Sequence, residues 1–137
     1  MTDSILVIED DEMVRHAVAR VLEAHGFNPT FAENGKEGLA LFQRLSPVLV
    51  ITDLIMPEKE GIETIMEMRK QRSDVRIVAM SGGGRVGAPE AFLKTAKSLG
   101  ADEVLAKPFE PEQLVAVVKR QLAAGRSQAA APLPLTI

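Results

Sequence analysis

The chain has 137 residues, 46% hydrophobic and 26% charged, an ordinary globular balance that excludes wholesale disorder and fits one domain with a sizeable core. It contains no cysteine, which excludes disulfides, thiolate metal sites and cysteine nucleophiles and leaves any metal to oxygen or histidine ligands. With 16 Lys and Arg against 19 Asp and Glu and no long basic run, direct binding of nucleic acid is not expected; the N-terminal MTDSILVIEDD, where a short apolar run meets acids at once, is neither a signal peptide nor a membrane span, so a cytoplasmic protein is expected.

In chain order, residues 5–8 form a short apolar run of branched residues, without the alternation of a strand that has one wet face. A helical pattern follows, with Val14, Ala17, Val18, Val21 and Leu22 inward, Arg15, Arg20 and Glu23 outward, and a stop at Gly26. A weaker strand is predicted at 28–32, a helix at 36–45, a strong strand at 48–51, a helix at 62–72 and a strong strand at 76–80. A helix at 89–99, a short strand at 103–106 and a helix at 111–123 complete the pattern. Five strands alternating with five helices imply a parallel α/β sheet, doubly wound, with right-handed crossovers. The domain is expected to span 1–124, and the aperiodic, Ala- and Pro-rich 125–137 is expected to be a mobile tail. His16 and His25, nine residues apart, lack partners at ligand spacing and are read as ordinary side chains, and the six methionines as core filling.

Ligands of an open parallel sheet bind beyond the carboxyl ends of its strands. The first strand ends in Glu9 and Asp10, followed by Asp11; the third in Asp53, the fourth in Ser81, the fifth in Lys107. Singly, each has a plain structural explanation: Asp11 as a helix cap, Asp53 shaping a turn, Ser81 tying down a loop, Lys107 solvated. Together they place carboxylates, a hydroxyl and an ammonium on one edge. Carboxylates gathered in a crevice repel one another, and an oxygen-only set with room for water suits a hard cation, magnesium above all. Lys107 and Ser81 then face a gap that a phosphoryl group could fill. Gly82, next to Ser81, has no side chain to obstruct that group, and its N–H can point at a phosphate oxygen.

The segments ILVIEDDE (5–12), VLVITDLIMPEKEGIETI (48–65), IVAMSG (77–82) and GADEVLAKPF (100–109) together resemble the receiver domain of bacterial two-component response regulators, over about residues 4–123. The resemblance implies a flavodoxin-like fold with strand order 2-1-3-4-5. It implies that Asp53 is the phosphoacceptor, that Glu9 and Asp10, with Asp53 and the carbonyl of Ile55, hold magnesium, that Ser81 stands at the family's Ser/Thr position, that Lys107 pairs with the phosphate, and that the Lys107–Pro108 bond is cis. It further implies a sensor histidine kinase or phosphotransfer protein as donor and a protein target downstream. With no room for an output domain after the last helix, a stand-alone receiver is expected.

The SGGGRVG stretch at 81–87 has the G-x-G-x-x-G spacing of a dinucleotide loop, but it follows the fourth strand rather than the first, so that reading fails on position. The connection from Ser81 to Lys107 is longer than the family's usual one, and Gly83 to Gly87 reads as an insertion. Val104 stands where receivers commonly carry a Tyr or Phe that rotates on activation. Two other functions stay open: a pseudo-receiver that works unphosphorylated, and an aspartate-nucleophile phosphohydrolase of the haloacid dehalogenase type. The latter is disfavoured because Leu54 and Ile55 follow Asp53 where that type has D-x-D.

Overall fold

A computed structural model describes residues 4–54, 60–81, 94, 97–98 and 100–130. Five strands, β1 (Ser4–Ile8), β2 (Asn28–Ala32), β3 (Leu49–Asp53), β4 (Arg76–Ser81) and β5 (Glu103–Ala106), form one sheet in the order β2-β1-β3-β4-β5. All pairings are parallel, with Ile8 opposite both Ala32 and Thr52, Asp53 opposite Met80, and Ser81 opposite Ala106. Four helices belong to the described residues: α1 (Glu12–Ala24), α2 (Gly35–Leu45), α3 (Glu60–Gln71) and α4 (Pro111–Ala130). Of the helix predicted at 89–99, only Lys94, Lys97 and Ser98 lie within the described residues, and all three are helical.

The apolar runs make two-faced strands. Leu6, Ile8, Val50, Ile77 and Ala79 pack with Phe42 of α2 and Ile65 and Met68 of α3. The alternate residues Ile5, Val7, Leu49, Ile51, Val78 and Met80 pack with Val18 and Leu22 of α1 and Leu114 and Val118 of α4. A strand whose side chains are buried on both faces has no polar side to show in its sequence, hence the unbroken hydrophobic runs.

Helix ends follow local chemistry. Asp11 caps α1, its Oδ1 accepting from the amides of Met13 (2.8 Å) and Val14 (3.3 Å), while Gly26, at φ 86°, lets the chain turn out of α1 beyond the cap residue His25. Asn34 caps α2 through the Glu37 amide (2.8 Å), and Glu37 accepts in return from the Glu33 amide (2.7 Å).

The last helix outruns its prediction. The apolar period ends near Leu122, yet the helix continues to Ala130. Residues 123–130 read AAGRSQAA, and their four alanines favour helix without supplying an apolar period, so loss of amphipathic pattern there is not loss of helix.

Candidate functional site

The register delivers the site. Glu9 follows β1 and donates its amide to the Ala32 carbonyl (3.0 Å), extending the β1–β2 ladder by one step. Asp53 is the last residue of β3, and the Leu54 amide continues that ladder to the Met80 carbonyl (2.8 Å). Glu9 is fully buried, Asp53 is 4% exposed, and Asp10 is exposed. One carboxylate oxygen from each of Glu9, Asp10 and Asp53 lies within 4.8 Å of the other two. This is the one cluster of three or more metal-ligating side chains among the described residues.

Lys107 leaves β5, which is separated from β3 by β4, so its side chain and the carboxylates together must bridge about 10 Å of sheet. They do so: Nζ donates to Glu9 Oε1 at 2.8 Å and to Asp53 Oδ2 at 3.0 Å. The Lys107–Pro108 bond is cis, as the resemblance implied. Asp11 stands apart from the cluster as the α1 cap, while its amide donates to Glu9 Oε2 (3.1 Å).

Burial dominates the electrostatics. Desolvation drives the Glu9 carboxyl up from 4.5 to about 7; the Asp53 charge adds to the rise, and the hydrogen bonds from Lys107 and the Asp11 amide oppose it. Burial pulls the Lys107 ammonium down, but its bond to Glu9 and the charge of Asp53 outweigh that, and its pKa is raised. Lys107 bridges Glu9 and Asp53, and the buried Glu9 carboxyl still titrates near neutrality, so a third carboxylate beside them favours an added positive charge. An all-oxygen donor set, partly open to solvent at Asp10, fits a hard divalent cation with room for water and a phosphate oxygen.

Thus Glu9, Asp10, Asp53 and Lys107 meet as the sequence implied. Ser81 ends β4, opposite Ala106 and beside the strand that bears Lys107. Ile55, Gly82 and the Gly83 to Gly87 segment lie outside the described residues. His16 and His25 are exposed and outside the cluster. Val104 is half-buried and packs on the core shared with α2 and α3.

Two contributors escaped the sequence reading. Gly61, in the first turn of α3, sits so close to β3 that a Cβ there would fall 2.4 Å from the carbonyl oxygens of both Asp53 and Leu54. Only glycine lets the helix approach the backbone of Asp53 this closely. Arg15, expected to face solvent, instead turns back along α1, and Nη1 donates to the carbonyls of Glu9 (2.8 Å) and Asp10 (3.1 Å). Long helical side chains lean toward the N-terminus, which brings this one over the turn that carries the acids. The available signal was a cation placed in a first turn, against the helix dipole.

Among the described residues, no helix is long and apolar enough to cross a membrane. Residues 5–119 match the model of the response regulator receiver domain. The chain is 35% identical over 120 residues to the probable transcriptional regulator ycf27 of Porphyridium aerugineum, covering 88% of this chain and 48% of that protein. It is 33% identical over 118 residues to the response regulator MprA of Mycolicibacterium vanbaalenii, covering 86% and 49%. The chain thus spans about half the length of these relatives. Its fold matches the CheY-like response regulator receiver domain protein of Methanospirillum hungatei with a TM-score of 0.81 at 25% identity, covering 93% of this chain and 99% of that one. NtrX of Brucella abortus gives 0.86 at 27% identity, covering 94% and 28%. With the five-stranded order, the acid cluster and the bridging lysine in place, the chain belongs to the response regulator receiver domain family.

Proposed function

We propose that this receiver accepts a phosphoryl group on Asp53 from the phosphohistidine of a sensor histidine kinase or phosphotransfer protein, and that the phosphorylated form engages a downstream protein target. The observation that carries the reading is Lys107 Nζ bridging the buried Glu9 and Asp53, with the oxygens of Glu9, Asp10 and Asp53 within 4.8 Å of one another. A carboxylate oxygen of Asp53 attacks phosphorus in line; an O–P bond forms, the N–P bond of the donor breaks, and the imidazole nitrogen leaves with the electron pair. Lys107, fixed by two hydrogen bonds, is positioned to pair with the charge on the transferring oxygens, and Ser81 at the end of β4 would contribute its hydroxyl to them. Glu9, Asp10 and Asp53 would hold magnesium, together with the Ile55 carbonyl; bound there, the ion supplies charge neutralisation for the phosphoryl oxygens. The Gly82 amide is assigned to the same oxygens. Hydrolysis of the acyl phosphate by water resets the switch.

For the whole protein, the transcriptional regulators among the relatives mean that charge balance alone does not decide against a nucleic-acid role. Incubation with magnesium and a small acyl phosphate, followed by intact-mass measurement, tests the reading. A single phosphoryl adduct is expected in the native protein and none in Asp53→Asn. No adduct in the native protein would mark a pseudo-receiver, and turnover of many simple phosphoesters a hydrolase.

A further inference from the structure

We propose that Arg15 is a positioning residue for the acid pair: by holding the carbonyls of Glu9 and Asp10, it fixes the turn that aims both carboxylates at the cation site. This rests on the magnesium-dependent reading above and adds a residue to it. Nη1 carries two N–H groups and gives one to each of two consecutive carbonyls, at 2.8 Å and 3.1 Å. Two successive carbonyls converge on one nitrogen only if the peptide units between them keep a set orientation, so the pair of bonds fixes the main chain of Glu9 and Asp10. The two carboxylates differ in what else holds them. Glu9 is buried and bonded by Lys107 and the Asp11 amide. The exposed Asp10 carboxylate has no hydrogen bond among the described residues, so its direction is set by its own backbone, and Arg15 is the side chain that grips that backbone. Arg15 is itself anchored, its amide bonded to the Asp11 carbonyl (2.9 Å) in the helix that Asp11 caps.

The sign of the effect separates positioning from simple electrostatics. Removing a positive charge beside a cation site should by Coulomb's law tighten cation binding. Removing a group that organises the ligands should weaken it. Magnesium binding by calorimetry is therefore to be compared in the full chain, Arg15→Ala, Arg15→Lys and Arg20→Ala, the last taking the same charge from an exposed position on the same helix. Arg15→Ala is expected to bind magnesium about tenfold more weakly, the low end of what partners behind metal ligands contribute. Arg15→Lys should recover part of the loss although it restores a charge that repels the ion, and Arg20→Ala should match wild type. In metal-free protein, hydrogen exchange at the Asp11 amide should speed up in Arg15→Ala, and thermal melts establish that each variant is folded. Equal or tighter magnesium binding in both Arg15 variants overturns the assignment. If wild type binds magnesium but forms no phosphoryl adduct, the phosphorylation reading fails, while Arg15 is still upheld by weakened binding in Arg15→Ala or overturned by its absence.

Discussion

At the scale of single residues, Lys107 holds the most exacting position. Its ammonium is the partner of two buried carboxylates, and removing one member of a buried ion cluster leaves the others uncompensated. Lys107→Met is expected to lower stability by about 2–4 kcal/mol in metal-free urea melts near pH 8, with magnesium restoring part of the loss. Glu9 sets the pH response. Its folded pKa of about 7 lies above the ordinary 4.5, so between those values the folded chain retains a proton that the unfolded chain has lost. Its contribution is fully present below pH 4.5 and is lost as pH rises through 7; metal-free wild type should lose stability across that window relative to Glu9→Gln. Glu103 acts with the opposite sign. Arg120 first, and Gln121 after it, hold its carboxyl below the ordinary 4.5 by hydrogen bonds against the cost of burial, so its contribution is present above that value and fades as pH falls through its folded pKa.

At the scale of elements, two first turns govern the site. Gly61→Ala would drive a Cβ into the carbonyls of Asp53 and Leu54, which as backbone cannot swing aside. We expect a loss of about 2–3 kcal/mol in chemical denaturation and slower phosphorylation of Asp53, because α3 must withdraw or β3 must bend. Asp11→Ala removes the α1 cap and should lower stability by about 1 kcal/mol while leaving magnesium affinity within about threefold, since Asp11 lies outside the ligand cluster. All five strands, and the convergence of Glu9, Asp10, Asp53 and Lys107, were legible because doubly buried strands write themselves as apolar runs and their last residues fall on one edge. Arg15 and Gly61 were not legible for a physical reason. One acts through the reach of a flexible side chain and the other through the distance between two backbones, and neither quantity leaves a periodic trace. The helical continuation to Ala130 was missed because residues 123–130 carry no large apolar side chain to mark a helical period.

At the scale of the whole molecule, the sheet has two chemically distinct edges. The carboxyl edge gathers negative charge at the site, whereas the amino edge of β4 and β5 is closed by paired charges. Arg69 donates to the carbonyls of Gly100 (2.6 Å), Ser73 (2.8 Å) and Val75 (2.6 Å) and to Asp102 Oδ2 (2.8 Å). Asp102 also accepts from the Ile77 amide (2.8 Å), Arg76 reaches Gln121 (2.9 Å), and Gln121 and Arg120 both bond Glu103. This lattice ties α3, β4, β5 and α4 together beneath the lysine. Arg69→Lys should not rescue Arg69→Ala, because one ammonium cannot serve four separated acceptors; both are expected to lose about 2–3 kcal/mol in thermal or urea melts.

The span of Lys107 across β4 also has a bearing on synthesis. Asp53 and the other acids leave the ribosome early, whereas their counter-charge belongs to the fifth strand and arrives some fifty residues after Asp53. A nascent or truncated chain that stops short of residue 107 carries the buried Glu9 and Asp53 without the ammonium that bridges them, so the pocket is complete only once the fifth strand has joined the sheet.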